Sequence, residues 1–131
     1  MDLQSTIGTF NQALKNTLKG MTDEVQQCIT VCLECHRTCE QLIPYCLDKG
    51  GMHAEKNHIQ LLSTCADICR SSAHFMMWGS DLHGRVCGVC ADACLKCAED
   101  CERMGDDQMM KMCADICRRC AESCRKIATH H

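Results

Sequence analysis

The stretch Cys87-Gly-Val-Cys90-Ala-Asp-Ala-Cys94-Leu-Lys-Cys97-Ala-Glu-Asp-Cys101 spaces its cysteines by three, four, three and four residues. Those gaps put side chains on one stripe of an α-helix, whereas a strand needs a period of two. The pattern recurs upstream at Cys28, Cys32, Cys35, Cys39 and Cys46 and at Cys65 and Cys69. Downstream it recurs at Cys113, Cys117, Cys120 and Cys124. All 16 cysteines of the 131-residue chain lie in these clusters. Each cluster reads as one helix carrying a seam of thiols where leucine would normally sit.

The breaks between clusters set the element boundaries. Thr22 is an N-cap with Asp23 and Glu24 in the first turn, so the first thiol helix is expected from about Thr22 to about Leu47. Pro44 falls in its last turns and bears on where Cys46 points. After Asp48-Lys49-Gly50-Gly51 a second helix is expected from about His53 to Trp78, with Gly79 as its stop and Ser80 as the next N-cap. The third runs to about Met104 across Gly84 and Gly88, and Gly105-Asp106 makes the last break before a fourth that reaches about Ala128. Upstream, Leu3, Ile7, Phe10, Leu14 and Leu18 mark a cysteine-free amphipathic helix ending near Gly20, expected to pack across the rest. Short connections favour antiparallel neighbours. The expected fold is therefore all-α: an antiparallel up-down-up-down four-helix bundle with an additional short N-terminal helix. It forms a single domain over residues 1–131, with the N-terminal helix in 1–20 and the cysteine-lined bundle in 22–128. The motif CADIC at Cys65–Cys69 returns at Cys113–Cys117, with CADAC at Cys90–Cys94, which hints at a duplicated hairpin.

Leu, Ile, Val and Phe make up less than a fifth of the chain, a composition usually associated with disorder. The net charge of only −3 argues the other way. The two agree if cysteine is the core residue, since free Cys behaves as a small buried hydrophobe. There is no basic patch, and with 3% aromatics too little stacking surface for nucleic acid. No apolar run approaches the ~20 residues that span a bilayer. The N-terminus, MDLQSTIGTF, has neither a basic n-region nor an apolar h-region, so a cytoplasmic location is expected. Thiols there stay reduced, which points to metal rather than disulfides.

Cysteines spaced along one helix fix nothing by pairing with each other, so a disulfide framework is disfavoured. Structural zinc takes four tetrahedral ligands, usually from turns, while rigid helices offer sulfurs in pairs. Cu(I) is soft, selects thiolate and thioether and accepts two or three sulfurs, so a pair at i, i+3 or i, i+4 is nearly a complete site. If each ion takes two thiolates and each thiolate bridges two ions, capacity approaches roughly one Cu(I) per cysteine. An inert cysteine core is disfavoured because Leu or Ile buries more area per residue. Cys32-Leu-Glu-Cys35-His36 matches a haem-attachment signature, but both cysteines belong to the longer seam and His36 falls off it. No ferredoxin-type run with a following proline is present. Nothing isolates one open coordination position, so the reading is a store and not an enzyme. A zinc or general soft-metal buffer is the alternative, and an iron–sulfur or haem redox carrier a weaker one.

These residues resemble the bacterial copper storage proteins, four-helix bundles whose interior cysteines bind Cu(I). The resemblance spans residues 22–128 and rests on the repeated C-x-x-x-C and C-x-x-C spacing; without an export signal it is to the cytosolic branch. It implies mass storage of Cu(I) on all sixteen cysteines, protection against copper toxicity and a homotetramer. The second helix departs from the pattern with only Cys65 and Cys69.

In such a bundle one end gathers Cys46, Met52, His53, His58, Cys101, Met104, Met109, Met110 and Cys113; the other gathers Met21, Val25, Met76, His83 and Ile127. Thioether and imidazole pass Cu(I) by ligand exchange, which makes the first end the preferred mouth, with His58, Met104 and Met110 as candidate ligands. Methionines at helix ends are equally at home as gap-filling core, and the two readings stand side by side. His36 and His74 are expected on outer faces, His130 and His131 in solvent, and Glu99, Arg103, Arg118 and Arg125 on the solvated side. Ile29, Leu33, Val86 and Val89 widen the apolar stripe as core flank or subunit contact.

Overall fold

Thr22 opens the bundle as its type and position require: its hydroxyl accepts the Val25 N–H at 3.2 Å, capping a helix with Asp23 and Glu24 in its first turn. In the computed structural model residues 1–130 are described, the side chain of His130 excepted. All regular structure among the described residues is helical: α1 Leu3–Thr17, α2 Asp23–Lys49, α3 Lys56–Met77, α4 His83–Glu102 and α5 Gln108–His130. The expectation for the His130 and His131 side chains lies outside the described residues.

The bundle closes as a ring in which α2 packs on α3 and α5, and α4 packs on α3 and α5. Each neighbouring pair is antiparallel. Along α2 and α5, Cys28 meets Cys124 while Cys46 meets Met110. Along α3 and α4, Cys69 meets Cys90 while His58 meets Asp100. The core is mostly sulfur: all sixteen cysteines are buried, joined by Leu62, Met76, Met110 and Ile127. Beside the seams, Ala66, Ala91, Ala98, Ala114 and Ala121 each follow a seam cysteine directly and are buried, letting backbones approach closely. Gly88 is not needed for such an approach, since a Cβ there would meet the Ala128 Cβ at 3.7 Å, an ordinary van der Waals contact.

Three boundaries differ from the sequence expectation. Gly50 and Gly51 both take positive φ, 74° and 56°, and the chain enters a 3₁₀ turn over Gly51–Ala54 before α3 begins at Lys56. Gly79, φ 64°, closes α3 with Ser80 N–H bonding back to Phe75 O at 3.0 Å. Ser80 does not cap the helix as expected: it accepts the Leu82 N–H within a turn, and α4 starts only at His83 with Leu82 in the N-cap position. The break expected at Gly105-Asp106 extends to Asp107, which caps α5 with Oδ1 accepting the Met110 N–H at 3.1 Å.

α1 is the larger correction. It was expected to pack its apolar stripe across the bundle, yet none of its residues is buried and Leu3, Ile7, Phe10 and Leu18 are exposed. Gly8, Asn11, Gln12 and Lys15 face a cleft shared with α2 and α5, and Lys15 Nζ pairs with Asp23 at 2.7 Å. Four helices already close the core, and the outer wall they leave to α1 mixes Gln26, Gln27, Thr30 and Glu34 with Val31 and Ile116. The polar edge of α1 faces that mixed wall across an open cleft.

Candidate metal centre

Helical spacing supplies the first contacts: Cys28–Cys32, Cys90–Cys94 and Cys120–Cys124, each i, i+4, have sulfurs 3.9, 4.0 and 4.0 Å apart. The ring then adds partners from facing helices. Cys32 and Cys124 approach to 3.4 Å, Cys65 and Cys94 to 3.6 Å, Cys69 and Cys90 to 3.6 Å, and Cys35 and Cys117 to 3.7 Å. No cysteine is disulfide-bonded.

Among the described residues, five groups could hold a metal ion, each with its sulfurs within 4.8 Å of one another. From one end of the bundle they are Cys28/Cys87/Cys124, Cys32/Cys90/Cys120/Cys124, Cys35/Cys69/Cys94/Cys120, Cys35/Cys39/Cys65/Cys117 and Cys39/Cys97/Cys113/Cys117. Each group shares at least one sulfur with the next, through Cys124, Cys120, Cys35, and Cys39 with Cys117. The column is therefore continuous. Helices were expected to offer sulfurs only in pairs, but three or four helices together bring four sulfurs to one point. The geometry by itself thus accommodates tetrahedral as well as lower coordination. The two thiols of α3, Cys65 and Cys69, serve the middle groups, and α3 completes its seam with His58 and Leu62 at one end and Ser72 and Met76 at the other.

Electrostatics within the column alternate. Thiol hydrogen bonds from neighbours hold Cys28, Cys35, Cys90 and Cys113 below the ordinary thiol value. Their sulfur partners, among them Cys39, Cys117 and Cys124, are pushed above it. At the ends fewer sulfurs assist. Burial, aided by the charges of Cys113 and Asp107, pushes Cys46 up to about 11.

Cys46 and Cys101 lie outside the five sulfur groups. Cys46 Sγ sits 3.4 Å from His58 Nε2 and 3.9 Å from Met110 Sδ. His58 is fully buried, and its Nδ1 lies 2.6 Å from Asp100 Oδ2. The structure thus brings two of the candidate mouth ligands, His58 and Met110, onto one cysteine. Met104 is nearly buried near the same end, while Met52 and Met109 are exposed. His53 is held aside by Asp107 at 2.8 Å, and Asp107 also accepts the Tyr45 hydroxyl at 2.7 Å. The opposite end has a cleft of about 330 Å³ lined by Met21, Met76, Met77, Trp78 and His83.

His36 lies off the seam as expected, its Nδ1 2.8 Å from Ala66 O, and His74 packs on Trp78. Arg118 pairs with Glu102 and Arg125 with Asp92 on the solvated side. Arg103 does not belong wholly to that side, because it also holds the buried Asp100 at 2.8 Å. Asp100 and Asp107 escaped the sequence reading. Asp100 is one position off the seam, and its partner His58 lies on another helix. Asp107 had a legible signal as a cap residue before a helix, but Gly105-Asp106 masked it.

Comparison with known proteins bears on what such a column is for. A crystal structure of a Nitrosospira multiformis protein is 44% identical, superimposes with a TM-score of 0.79 and covers 84% of this chain and 100% of its own. The Cu(I)-bound copper storage protein BsCsp3 of Bacillus subtilis is 32% identical, with a TM-score of 0.75 over 81% of this chain and 99% of its own. An uncharacterized cysteine-rich protein of the same organism, YhjQ, is 33% identical over 82 residues, which is 63% of this chain and 76% of that one. The copper storage protein family matches residues 21–129, the whole of the cysteine-lined bundle. A continuous thiol column inside that matched segment makes the assignment: the chain belongs to the copper storage protein family.

Proposed function

We propose that this protein stores Cu(I) as thiolate-bridged ions along the bundle axis and so limits copper toxicity, with all sixteen cysteines as ligands. The observation that carries the reading is the sharing of sulfurs between successive groups, at Cys124, Cys120, Cys35, Cys39 and Cys117. Bridging thiolates raise capacity toward roughly one ion per cysteine, which isolated four-sulfur sites cannot reach. The role is sequestration rather than turnover.

Anaerobic titration of the reduced protein with Cu(I) against a competing chelator tests this. An endpoint near one ion per thiol is expected. Saturation at or below one ion per four thiols favours a tetrahedral zinc-type buffer, which the four-sulfur groups also accommodate. Haem or iron–sulfur absorption in the purified protein overturns both.

Cu(I) is proposed to enter at the end of the bundle that carries Cys46, His58, Met104 and Met110. Mixed thiol, imidazole and thioether donors there support ligand exchange inward. A cytoplasmic location is proposed because so many closely spaced thiols suit a reducing compartment, where they stay available to metal. A homotetramer is what the family resemblance implies, and exposed Leu33, Val89, Trp78 and Phe10 offer apolar surface for it. Light scattering on the purified chain reads the assembly directly.

A further inference from the structure

One polar chain, together with the separate hydroxyl of Ser72, interrupts the apolar and sulfur-rich interior. Arg103 Nε donates to Asp100 Oδ1 at 2.8 Å, with Nη2 of the same guanidinium also 2.8 Å from that oxygen. The second carboxylate oxygen, Oδ2, is 2.6 Å from His58 Nδ1. His58 Nε2 is 3.4 Å from Cys46 Sγ, which is 3.9 Å from Met110 Sδ. Cys46, His58 and Met110 are fully buried, and Asp100 is 8% exposed. A buried carboxylate costs stability unless it is paired, and a lone buried histidine is an expensive way to fill a core.

The carboxylate can only accept, so the His58 proton at this contact sits on Nδ1. A neutral imidazole then carries its lone pair on Nε2, aimed at Cys46. Metal-binding histidines characteristically have their other nitrogen fixed in this way, which sets both tautomer and ring orientation. Arg103 completes the arrangement. With two donors engaged at Oδ1, it leaves Oδ2 to the histidine.

We propose that Asp100, anchored by Arg103, is a positioning residue that locks the His58 tautomer, so that Cys46 Sγ, His58 Nε2 and Met110 Sδ receive one Cu(I) ion ahead of the all-sulfur column. The inference rests on the storage reading above and deepens it. The Cys46 proton leaves to solvent buffer as the copper–sulfur bond forms, and the ion is supplied by its carrier without change of oxidation state. Seated outside the five sulfur groups, the ion is held by a neutral imidazole and a thioether beside one thiolate. Such a site is suited to pass its ion on.

The side-chain chemistry supplies a test. In Asp100→Asn the arginine, an obligate donor, keeps the amide oxygen. The NH₂ group is thereby turned toward His58 Nδ1 and drives the ring proton to Nε2, facing Cys46. In Asp100→Asn/Arg103→Met that restraint is gone, and the amide is free to turn its oxygen back to the histidine. Nitrogen-15 NMR of the histidine rings in the metal-free full chain, at mildly alkaline pH, reads the tautomer without any copper. The expected result is an unprotonated Nε2 in the native chain, a protonated one in Asp100→Asn and recovery in the double variant. Stopped-flow and equilibrium titration with a Cu(I)–chelator complex then read the first ion. Its affinity should fall by about 10–100-fold in Asp100→Asn and recover in the double variant, with total capacity unchanged. Helical circular dichroism of the metal-free variants reports that they have folded. A native His58 protonated on Nε2 overturns the proposal, as does a first ion indifferent to the tautomer. A native chain that takes up no Cu(I) overturns the storage reading and the uptake role with it, a result distinct from either.

Discussion

The sulfurs of Cys32 and Cys124 stand 3.4 Å apart across the α2–α5 interface, unbonded and fully buried. That pair typifies the column, a dense set of reduced thiols shielded by four helices. Accessibility and not intrinsic reactivity should therefore govern their chemistry. A water-soluble thiol reagent is expected to leave the native metal-free chain nearly untouched and to count 16 thiols once it is denatured. Rapid labelling of most cysteines in the native protein contradicts a closed core.

Shared sulfurs should matter more than terminal ones. Cys120 belongs to two groups of four, whereas Cys28 belongs to a single group of three at the end of the column. Cys120→Ala is expected to lower the Cu(I) endpoint more than Cys28→Ala does. Each deletes about one buried methylene's worth of volume, a stability cost on the order of 1 kcal/mol, so neither should unfold the bundle. Equal losses in the two variants count against bridging along the axis.

The thiol seams were legible because three- and four-residue spacing admits one periodicity, and Thr22 because its cap geometry is local. The 3₁₀ turn at Gly51–Ala54 was not, since two glycines signal a break without saying how long it is. The outward turn of α1 was not either: an amphipathic stripe through Leu3, Ile7 and Phe10 marks a helix but not which surface receives it. Asp100 shows the same limit at the site. Within Cys97-Ala-Glu-Asp-Cys101 it reads as one of two adjacent acids, and only the fold reveals that Asp100 turns inward to His58 while Glu99 faces solvent.

Asp107 ties the 3₁₀ turn to α5, and its titration should be visible in acid. Burial alone would raise its pKa, but hydrogen bonds from Tyr45, the Met110 N–H and His53 outweigh it and hold the carboxyl at about 2, below its ordinary 3.8. A carboxyl depressed on folding stabilises the native state above its unfolded value and stops doing so as pH falls through its folded one. Asp107→Ala is therefore expected to be less stable than the native chain by about 1 kcal/mol, a typical cost for a lost helix cap. The gap should be constant above pH 3.8 and close as pH falls toward 2. Urea unfolding across that range measures it, and a pH-independent gap refutes the assignment.

Metal should not be needed to build the bundle. Zinc fingers are unfolded without metal because their ligands replace a core. Here the ligands are the core: the thiols are small apolar groups at full burial, flanked by Leu62, Met76, Met110, Ile127 and the alanines that follow the seam cysteines. The reduced, chelator-stripped chain is therefore expected to keep its helical circular dichroism. Copper, held more tightly by the clustered thiols of the native state than by those of the unfolded chain, should then raise the unfolding temperature progressively with loading. A metal-free chain without helical signal places folding after metal binding and contradicts a preformed column. A helical chain whose unfolding temperature ignores copper means that the ions bind outside the core.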